Sequence, residues 1–600
     1  MLFKNDKKAS PTPNPQARQR VENPTQASAH SDTDDFGAYA QPQRKAPPRR
    51  QQAPRQQQAP RQRRPQPMFA FGGFKRSSVI VALVAVVALI ALIALTVVFI
   101  SASNKDVKLE KNIYMYNCDD AGIWRVLYNG KIIGEYDNEI ELITAEDRSF
   151  AYIIENGAEG YLVHVAEGKK IRTITGAPVT KVLATASLSP AVVWLELGNG
   201  VYLYTEEHGE ERITKDYASL KEDTSAKGQY NYIFNISADG STVAYAQTDS
   251  NTGEFHLYTY RDSLPQKSAK YLLPVAISDN GKFVFGYGIS SKDGVTKAFY
   301  VVSGDDKYLI DEGFENVISV SASGNEIVYT TNTETGIATY IYSFNPRKLD
   351  DDKEPHKIGN GVCAPVSADA KIARPSTFKK TYFERIDGDD ETSSPTYFVN
   401  KKYESTSICS YQGQFSPDGD YFYYVNKSAT LQRIKLSDKS HTPEKIAEDI
   451  AEFAITQKGN VYWLNDSGRL SFYHSSKGKT TRIADDAGSI VMHDYSNTLY
   501  YTSTESVAVY TTKEGSGKEE AKFGSLVLTT LPTFTDPTFK KSYAAVWDVD
   551  NDRWNIFYTS NGKSFKQVGT CLDIPGLDIN DIIDNIISGG DIQDDSDGIG

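Results

Sequence analysis

Two patterns of apolar and polar positions organise this chain. Val79 to Ile100 reads VIVALVAVVALIALIALTVVFI, an apolar run interrupted only by Thr96. Beyond it, polar turns and short apolar strands alternate with a regular beat. Ile236-Ser237-Ala238-Asp239-Gly240 precedes Thr242-Val243-Ala244-Tyr245, and Ile277-Ser278-Asp279-Asn280-Gly281 precedes Phe283-Val284-Phe285. Val320-Ser321-Ala322-Ser323-Gly324, Phe415-Ser416-Pro417-Asp418-Gly419 and the weaker Ile455-Thr456-Gln457-Lys458-Gly459 stand before similar strands. The glycines at 240, 281 and 324 are 41 and 43 apart, and 419 to 459 is 40.

Each turn has a physical reason. Asp hydrogen-bonds nearby backbone and Gly accepts a positive φ, so Ser-x-Asp-Gly reverses the chain tightly. The strand that follows is β-branched and aromatic, as pleated strands prefer. About ten residues later comes a strand of the Leu-Tyr-x-Tyr kind, as in His256-Leu257-Tyr258-Thr259-Tyr260, and then a last short strand such as Tyr271-Leu272-Leu273. A period of about 42 residues thus holds four short strands, the length of one β-propeller blade. Strands following such turns are expected to begin near 112, 149, 191, 242, 282, 325, 370, 420, 460, 498 and 541. The fold class is therefore all-β.

These units resemble the TolB-like, or WD40-like, propeller repeat, whose signature is a Ser-Pro-Asp-Gly turn before an apolar strand. Ser416-Pro417-Asp418-Gly419 matches that signature fully, and the other copies keep three or fewer of its positions. The resemblance runs over residues 108–570. It implies binding, scaffolding or an accessory role beside an enzyme, and little chemistry of its own. A single propeller ordinarily has 4–8 blades. Eleven units point first to two tandem rings with a boundary inside 345–412, and second to a single large ring.

The apolar run changes the picture from a soluble chain to an anchored one. Twenty-two helical residues extend about 33 Å, enough to cross a hydrocarbon core of roughly 30 Å. Lys75 and Arg76 stand directly before the run, and Asn104, Lys105 and Asp106 follow it. The positive-inside rule then places the N-terminus in the cytoplasm and residues 103–600 outside. The division is residues 1–77 as a cytoplasmic tail, 78–102 as a transmembrane helix, 103–571 as propeller repeats and 572–600 as an acidic tail. A leader of 77 residues is too long for an ordinary signal peptide, so the expected location is the cell membrane, single-pass, of bacterial type. The first tail is built from Pro, Gln, Arg and Ala, and reads as disordered. Its basic residues suit contact with an anionic leaflet or a cytoplasmic protein.

Charge separates the segments. Residues 1–77 carry 15 Lys/Arg against 5 Asp/Glu, whereas residues 103–600 carry 50 against 72. An acidic main body argues against nucleic-acid binding, which needs a basic face. Residues 572–600 contain eight Asp and no Lys or Arg, with Leu577, Ile579, Ile582, Ile583, Ile586 and Ile587 spaced for one side of a short helix. The cysteines are few. Cys118 in the first repeat and Cys571 after the last would make a bridge fastening the ends, and Cys363 with Cys409 would staple the irregular middle; buried thiols are the alternative.

Chemistry-bearing patterns are sparse. The chain has no Gly-x-Ser-x-Gly elbow, no phosphate-binding loop and no His-Glu-x-x-His. His164, His256 and His474 lie on strands of different repeats, where a central channel or ordinary strand positions would hold them. Asp548-x-Asp550-x-Asp552 has the alternation of a calcium loop, but Arg553 occupies the place of its glycine, so a strand-to-strand turn is the better reading. Tyrosines suit packing between blades and, at the rims, ligand contact. The longest departure from the period carries Asp387, Asp389, Asp390 and Glu391, the candidate partner-binding loop, whose acidity favours a basic partner. No cofactor, metal or catalytic set is indicated. The expectation is a binding module or scaffold facing a protein or envelope ligand, with a polymer- or peptide-processing enzyme and a single-pass sensor as alternatives.

Overall fold

Ser237 shows how one unit is built. Its hydroxyl donates to Asp239 Oδ1 (2.6 Å) and accepts the Thr242 amide (3.0 Å), while the Gly240 amide closes on the Ser237 carbonyl (2.9 Å). Ser278 repeats this with Asn280 and Phe283, and Ser416 with Asp418 and Tyr421. In the weakest copy Thr456 replaces the serine and accepts the Asn460 amide. Gly240 has φ +75°, and a Cβ there would lie 2.5 Å from Ala191 Cβ on the preceding unit. Glycine is needed both for the turn and for the approach of the neighbouring blade.

The computed structural model describes residues 105–574, apart from 218–219, 221–232, 250, 290–293, 350–353, 370, 388–393, 493–496, 505–508, 521–526, 536–539, 549–550, 562–563 and 573. The sequence-predicted membrane helix, residues 1–77, the acidic tail beyond Ile574, Asp389, Asp390 and Glu391 lie outside the described residues. Among the described residues no helix is long and apolar enough to cross a membrane.

Strand after strand pairs antiparallel with its successor, giving ten four-stranded sheets and one of three strands. These are eleven propeller blades, numbered here in chain order from the three-stranded one at 114–136. The second strand of a blade is sandwiched between neighbours on both faces. Thr242–Thr248 is accordingly buried from Thr242 to Ala246, so it reads as a continuous apolar run rather than an alternation. The outermost strand faces water: Leu264–Lys270 is mostly exposed and carries Pro265 and two lysines, residues that discourage edge pairing.

Apolar clusters fill the interfaces between successive blades. Blades 5 and 6 meet through Phe285, Phe299, Phe314 and Tyr329, with the Phe299 and Phe314 rings stacked at 4.3 Å. Each such side chain contributes roughly 1.5–3 kcal/mol on burial. Blades 6 and 7 meet through Val328, Ile341, Phe383 and Val399. The chain steps from blade 6 to blade 7 within 345–412, where a ring boundary is expected, and apolar side chains pack across that step. Blade 11 packs back on blade 1: Ile113, Met115 and Leu127 share a cluster with Tyr543, Trp554, Ile556 and Ile574. Lys541 Nζ donates to the Lys111 carbonyl (2.9 Å) and Arg553 pairs with Asp120 (2.9 Å) across the same seam. The described residues from Asp106 on belong to one compact unit.

Blade 7 departs from the rule. Between its first strand, Cys363–Val366, and its second, Thr381–Arg385, the chain inserts Ile372–Arg374, which pairs with Val107–Lys108. This insertion explains why the strand expected near 370 begins at Thr381. It also closes a circle of inner turns. The Glu146 amide donates to Ser187 O, Leu188 to Ala238, Asp239 to Asp279, and Ala322 to Pro375 in the insertion. Asp106 Oδ1 accepts the Ser376 amide (2.7 Å), fixing the start of the described chain to this closure.

Candidate functional site

The inner turns bring together charges far apart in sequence. Arg374 donates to Glu146 at 2.7 and 2.9 Å and to the Val320 carbonyl at 3.1 Å, and it pairs with Asp279 at 2.7 Å. Blades 2, 5 and 6 are thereby tied to the blade 7 insertion. Burial pushes the Asp279 carboxyl up, against the pull of the guanidinium. Burial also works against the Arg374 charge, and Glu146 and Asp279 outweigh it, so that group stays protonated.

Two further polar centres have the same character. Glu326 is buried and accepts Thr377 Oγ1 (2.7 Å), the Phe378 amide (2.5 Å) and Tyr403 OH (2.7 Å). Arg433 makes a bidentate contact with Glu444 at 2.9 and 3.0 Å, donates to Ser475, and lies over the Tyr421 and Tyr473 rings at 4.5 and 5.4 Å. Arg374, Glu326 and Arg433 are each met by several partners, the condition for holding charge away from water. These centres fasten blades together. Nothing in the sequence pattern marks them, because each takes at least one partner from another repeat.

The histidines do not converge. His164, His256 and His474 lie on Gly160–Glu167, Phe255–Arg261 and Leu470–His474, each the third strand of its sheet and two strands out from the innermost one. His164 is held between Thr173 Oγ1 (3.0 Å) and Glu155 (3.3 Å). His256 is buried with neither ring nitrogen hydrogen-bonded. Among the described residues no group of three His, Cys, Asp or Glu is placed to hold a metal ion. Asp548 accepts the amide and side chain of Asn551 and the side chain of Asn555, which hold its carboxyl below the usual range. It closes a strand-to-strand turn.

Strand geometry sets the expected partners Cys363 and Cys409 apart, and both are thiols. Cys363 pairs with Arg385 on the innermost strand of blade 7, whereas Cys409 pairs with Thr396 on the outermost. Two strands separate them, roughly 14 Å at normal spacing, beyond the reach of a bridge. Cys118 shares its strand face with Tyr114 and Tyr116, which pack toward blade 2, while Cys571 is packed with Met115 on the blade 11 side.

Many of the described tyrosines are buried. Tyr152, Tyr245, Tyr329, Tyr423, Tyr462, Tyr501 and Tyr543 are all fully buried. Of the proposed partner loop, Asp387 is described, and it is engaged: its Oδ1 accepts Arg385 Nε at 2.7 Å.

Exposure of apolar side chains is unevenly distributed. The hairpins joining second to third strands, and the connections from one blade to the next, share one end of every sheet. Leu197, Ile289, Val295, Ile337 and Ile386 stand at such hairpins and Tyr271 at such a connection, all exposed.

No family model matches the chain, and no curated protein matches it. Among solved structures, it is similar over 61% of its length to a eukaryotic initiation factor (11% identity, 94% of that chain, TM-score 0.36). It is similar over 77% to the tricorn protease (10% identity, 58% of that chain, TM-score 0.24). An oligogalacturonate lyase from Vibrio parahaemolyticus is matched over 56% of this chain (12% identity, 100% of that chain, TM-score 0.29). Likeness at these identities concerns fold alone, and these scores are too low to carry a functional argument. The blades described above establish the propeller.

Proposed function

We propose that the protein is a membrane-anchored, extracytoplasmic β-propeller of the TolB-like kind, working as a binding module or scaffold at the cell surface. The observation that carries this reading is a division of labour. The interior charged centres at Arg374, Glu326 and Arg433 are spent on joining blades, while exposed apolar side chains gather on the hairpin end. Loops on a rigid scaffold are where binding residues collect. The anchor rests on the uncharged run Val79–Ile100 behind Lys75 and Arg76, and the basic tail is then left to contact anionic lipid or a protein inside.

The test has two parts. Protease added to intact or wall-free cells should degrade residues 103–600 and spare the tail; a mature chain starting near Asn104 would overturn the anchor. Crosslinked membranes should then yield specific partners for the outer segment and the tail separately. Recovery of none by the outer segment would overturn the binding module.

A further inference from the structure

We infer that the inner-turn end of blade 7 carries a docking surface for the headgroups of an anionic lipid bilayer, formed by the lysine pairs Lys379-Lys380 and Lys401-Lys402. This rests on the membrane-anchored reading and deepens it. The pairs are separate in sequence and meet in space. Lys379 and Lys380 lead into the second strand of the blade, Thr381–Arg385, and Lys401 and Lys402 lie in the hairpin between its third and fourth strands. Thr381 pairs with Val399, so the two segments leave the sheet side by side. All four lysines are exposed.

Glu326 fixes this arrangement from blade 6. Its buried carboxylate accepts Thr377 Oγ1 (2.7 Å) and the Phe378 amide (2.5 Å), just before the first pair, and Tyr403 OH (2.7 Å), just after the second. Lys379 Nζ stands 5.0 Å from the centre of the Tyr403 ring. One carboxylate therefore gathers both lysine-bearing segments, and the cations are presented from a rigid base instead of a free loop. Lys380 and Tyr403 have φ +61° and +64°, in the left-handed region where glycine is unstrained. Side chains are kept at both positions all the same.

Charge and chain length select the occupant. Residues 103–600 are acidic as a whole, with 50 Lys/Arg against 72 Asp/Glu, so four adjacent lysines are a local reversal of sign. Carboxylates of the same turns are engaged elsewhere: Glu326 by its three donors, and Glu404 by Asn400 Nδ2 at 2.7 Å. The chain also enters the propeller at this end. Asp106 Oδ1 accepts the Ser376 amide (2.7 Å), three residues before Lys379. Ile100, the last residue of the apolar run, is six residues before Asp106, and a fully extended chain of that length spans about 20 Å. A tether so short keeps the inner-turn end of blade 7 within reach of headgroups and leaves the opposite, hairpin end for the binding role. Each basic residue brought to an anionic surface strengthens attachment about fivefold.

The experiment reconstitutes the full chain into phosphatidylcholine vesicles with and without phosphatidylglycerol, and treats both with a membrane-impermeant reagent that acetylates lysine. Mass spectrometry should find Lys379, Lys380, Lys401 and Lys402 labelled about threefold less in the anionic vesicles, with the difference abolished by high salt. Lys427, exposed on the hairpin at the other end of blade 8, should be labelled equally in both. Lys371, exposed where its carbonyl accepts the Leu109 amide, should share the protection. It should lose that protection in the variant Lys379→Gln, Lys380→Gln, Lys401→Gln, Lys402→Gln, whose unchanged thermal midpoint certifies its folding. Equal labelling of the four lysines in the two lipids, or protection of Lys371 that survives in the variant, overturns the proposal. Protection by soluble polyphosphate but not by anionic lipid overturns it too, by assigning the surface to a soluble polyanion. Alkaline carbonate keeps the two readings apart. A chain that resists extraction with its lysines unprotected keeps the anchor and loses this surface; an extracted chain loses the anchor and this surface with it.

Discussion

Arg374 holds Glu146 through two hydrogen bonds of 2.7 and 2.9 Å across 228 residues of chain. Replacing it with methionine leaves the half-buried Glu146 and Asp279 without their cation. We expect Arg374→Met to destabilise the fold by about 1–3 kcal/mol, the cost of leaving partly buried polar groups unpaired. The triple variant Arg374→Met, Glu146→Gln, Asp279→Asn should recover part of that loss. Urea unfolding of the three proteins checks both statements; equal midpoints for the single and triple variants would contradict them.

The turn glycines separate two costs. Gly240 and Gly419 have φ +75° and +72°, but a Cβ meets Ala191 at 2.5 Å in the first and only Ala368 at 3.6 Å in the second. Gly419→Ala should therefore cost about 1–2 kcal/mol, the penalty of the left-handed region alone. Gly240→Ala should cost distinctly more, because backbone or blade must shift as well. Thermal midpoints of the two variants should differ in that order.

Burial lowers the His256 and His164 rings from their ordinary value of 6.5, in the second case against the pull of Glu155. Between the lowered folded value and 6.5, the unfolded chain binds more protons than the folded one. Stability is thus fully present above pH 6.5 and falls as pH drops through that window. The groups facing His256 include Glu254, Lys267 and Lys270. His256→Phe should flatten the slope of stability against pH between 6.5 and the acid limb; an unchanged slope would exclude that ring as its source.

Burial pushes the Cys363 and Cys409 thiols up to about 11. At neutral pH the thiolate is scarce and the sulfur inaccessible, so iodoacetamide should modify neither residue in the folded protein and both after denaturation. Mass spectrometry of the labelled peptides reads this directly. Joined Cys363 and Cys409 peptides under non-reducing conditions would refute the strand geometry.

Repeating features were legible in the chain because each is local. Strands expected near 242, 325, 420, 460, 498 and 541 begin at Thr242, Glu326, Tyr421, Val461, Thr498 and Ser542. Ser237, Asp239, Gly240 and Thr242 complete their own hydrogen bonds within six residues, so sequence alone reports the turn. Arg374 looked like any arginine in an irregular stretch, since Glu146, Asp279 and Val320 come from three other blades. The separation of Cys363 from Cys409 was hidden for a related reason: which strand of a sheet a sulfur occupies depends on pairing that the sequence does not print. Ile337 and Ile386 gave no signal either, because an apolar residue at a hairpin is told from a core residue only by its exposure.

The seam between the last and first blades has a consequence for synthesis. The other apolar clusters join blades that follow one another in sequence and can form as the chain emerges. Ile113, Met115 and Leu127 must instead wait for Tyr543, Trp554 and Cys571. At roughly 5–20 residues per second, that delay is on the order of half a minute to a minute and a half. During it, one apolar face of blade 1 stands open on a nascent chain, and this interval is where chaperone binding should be strongest and aggregation most readily begin.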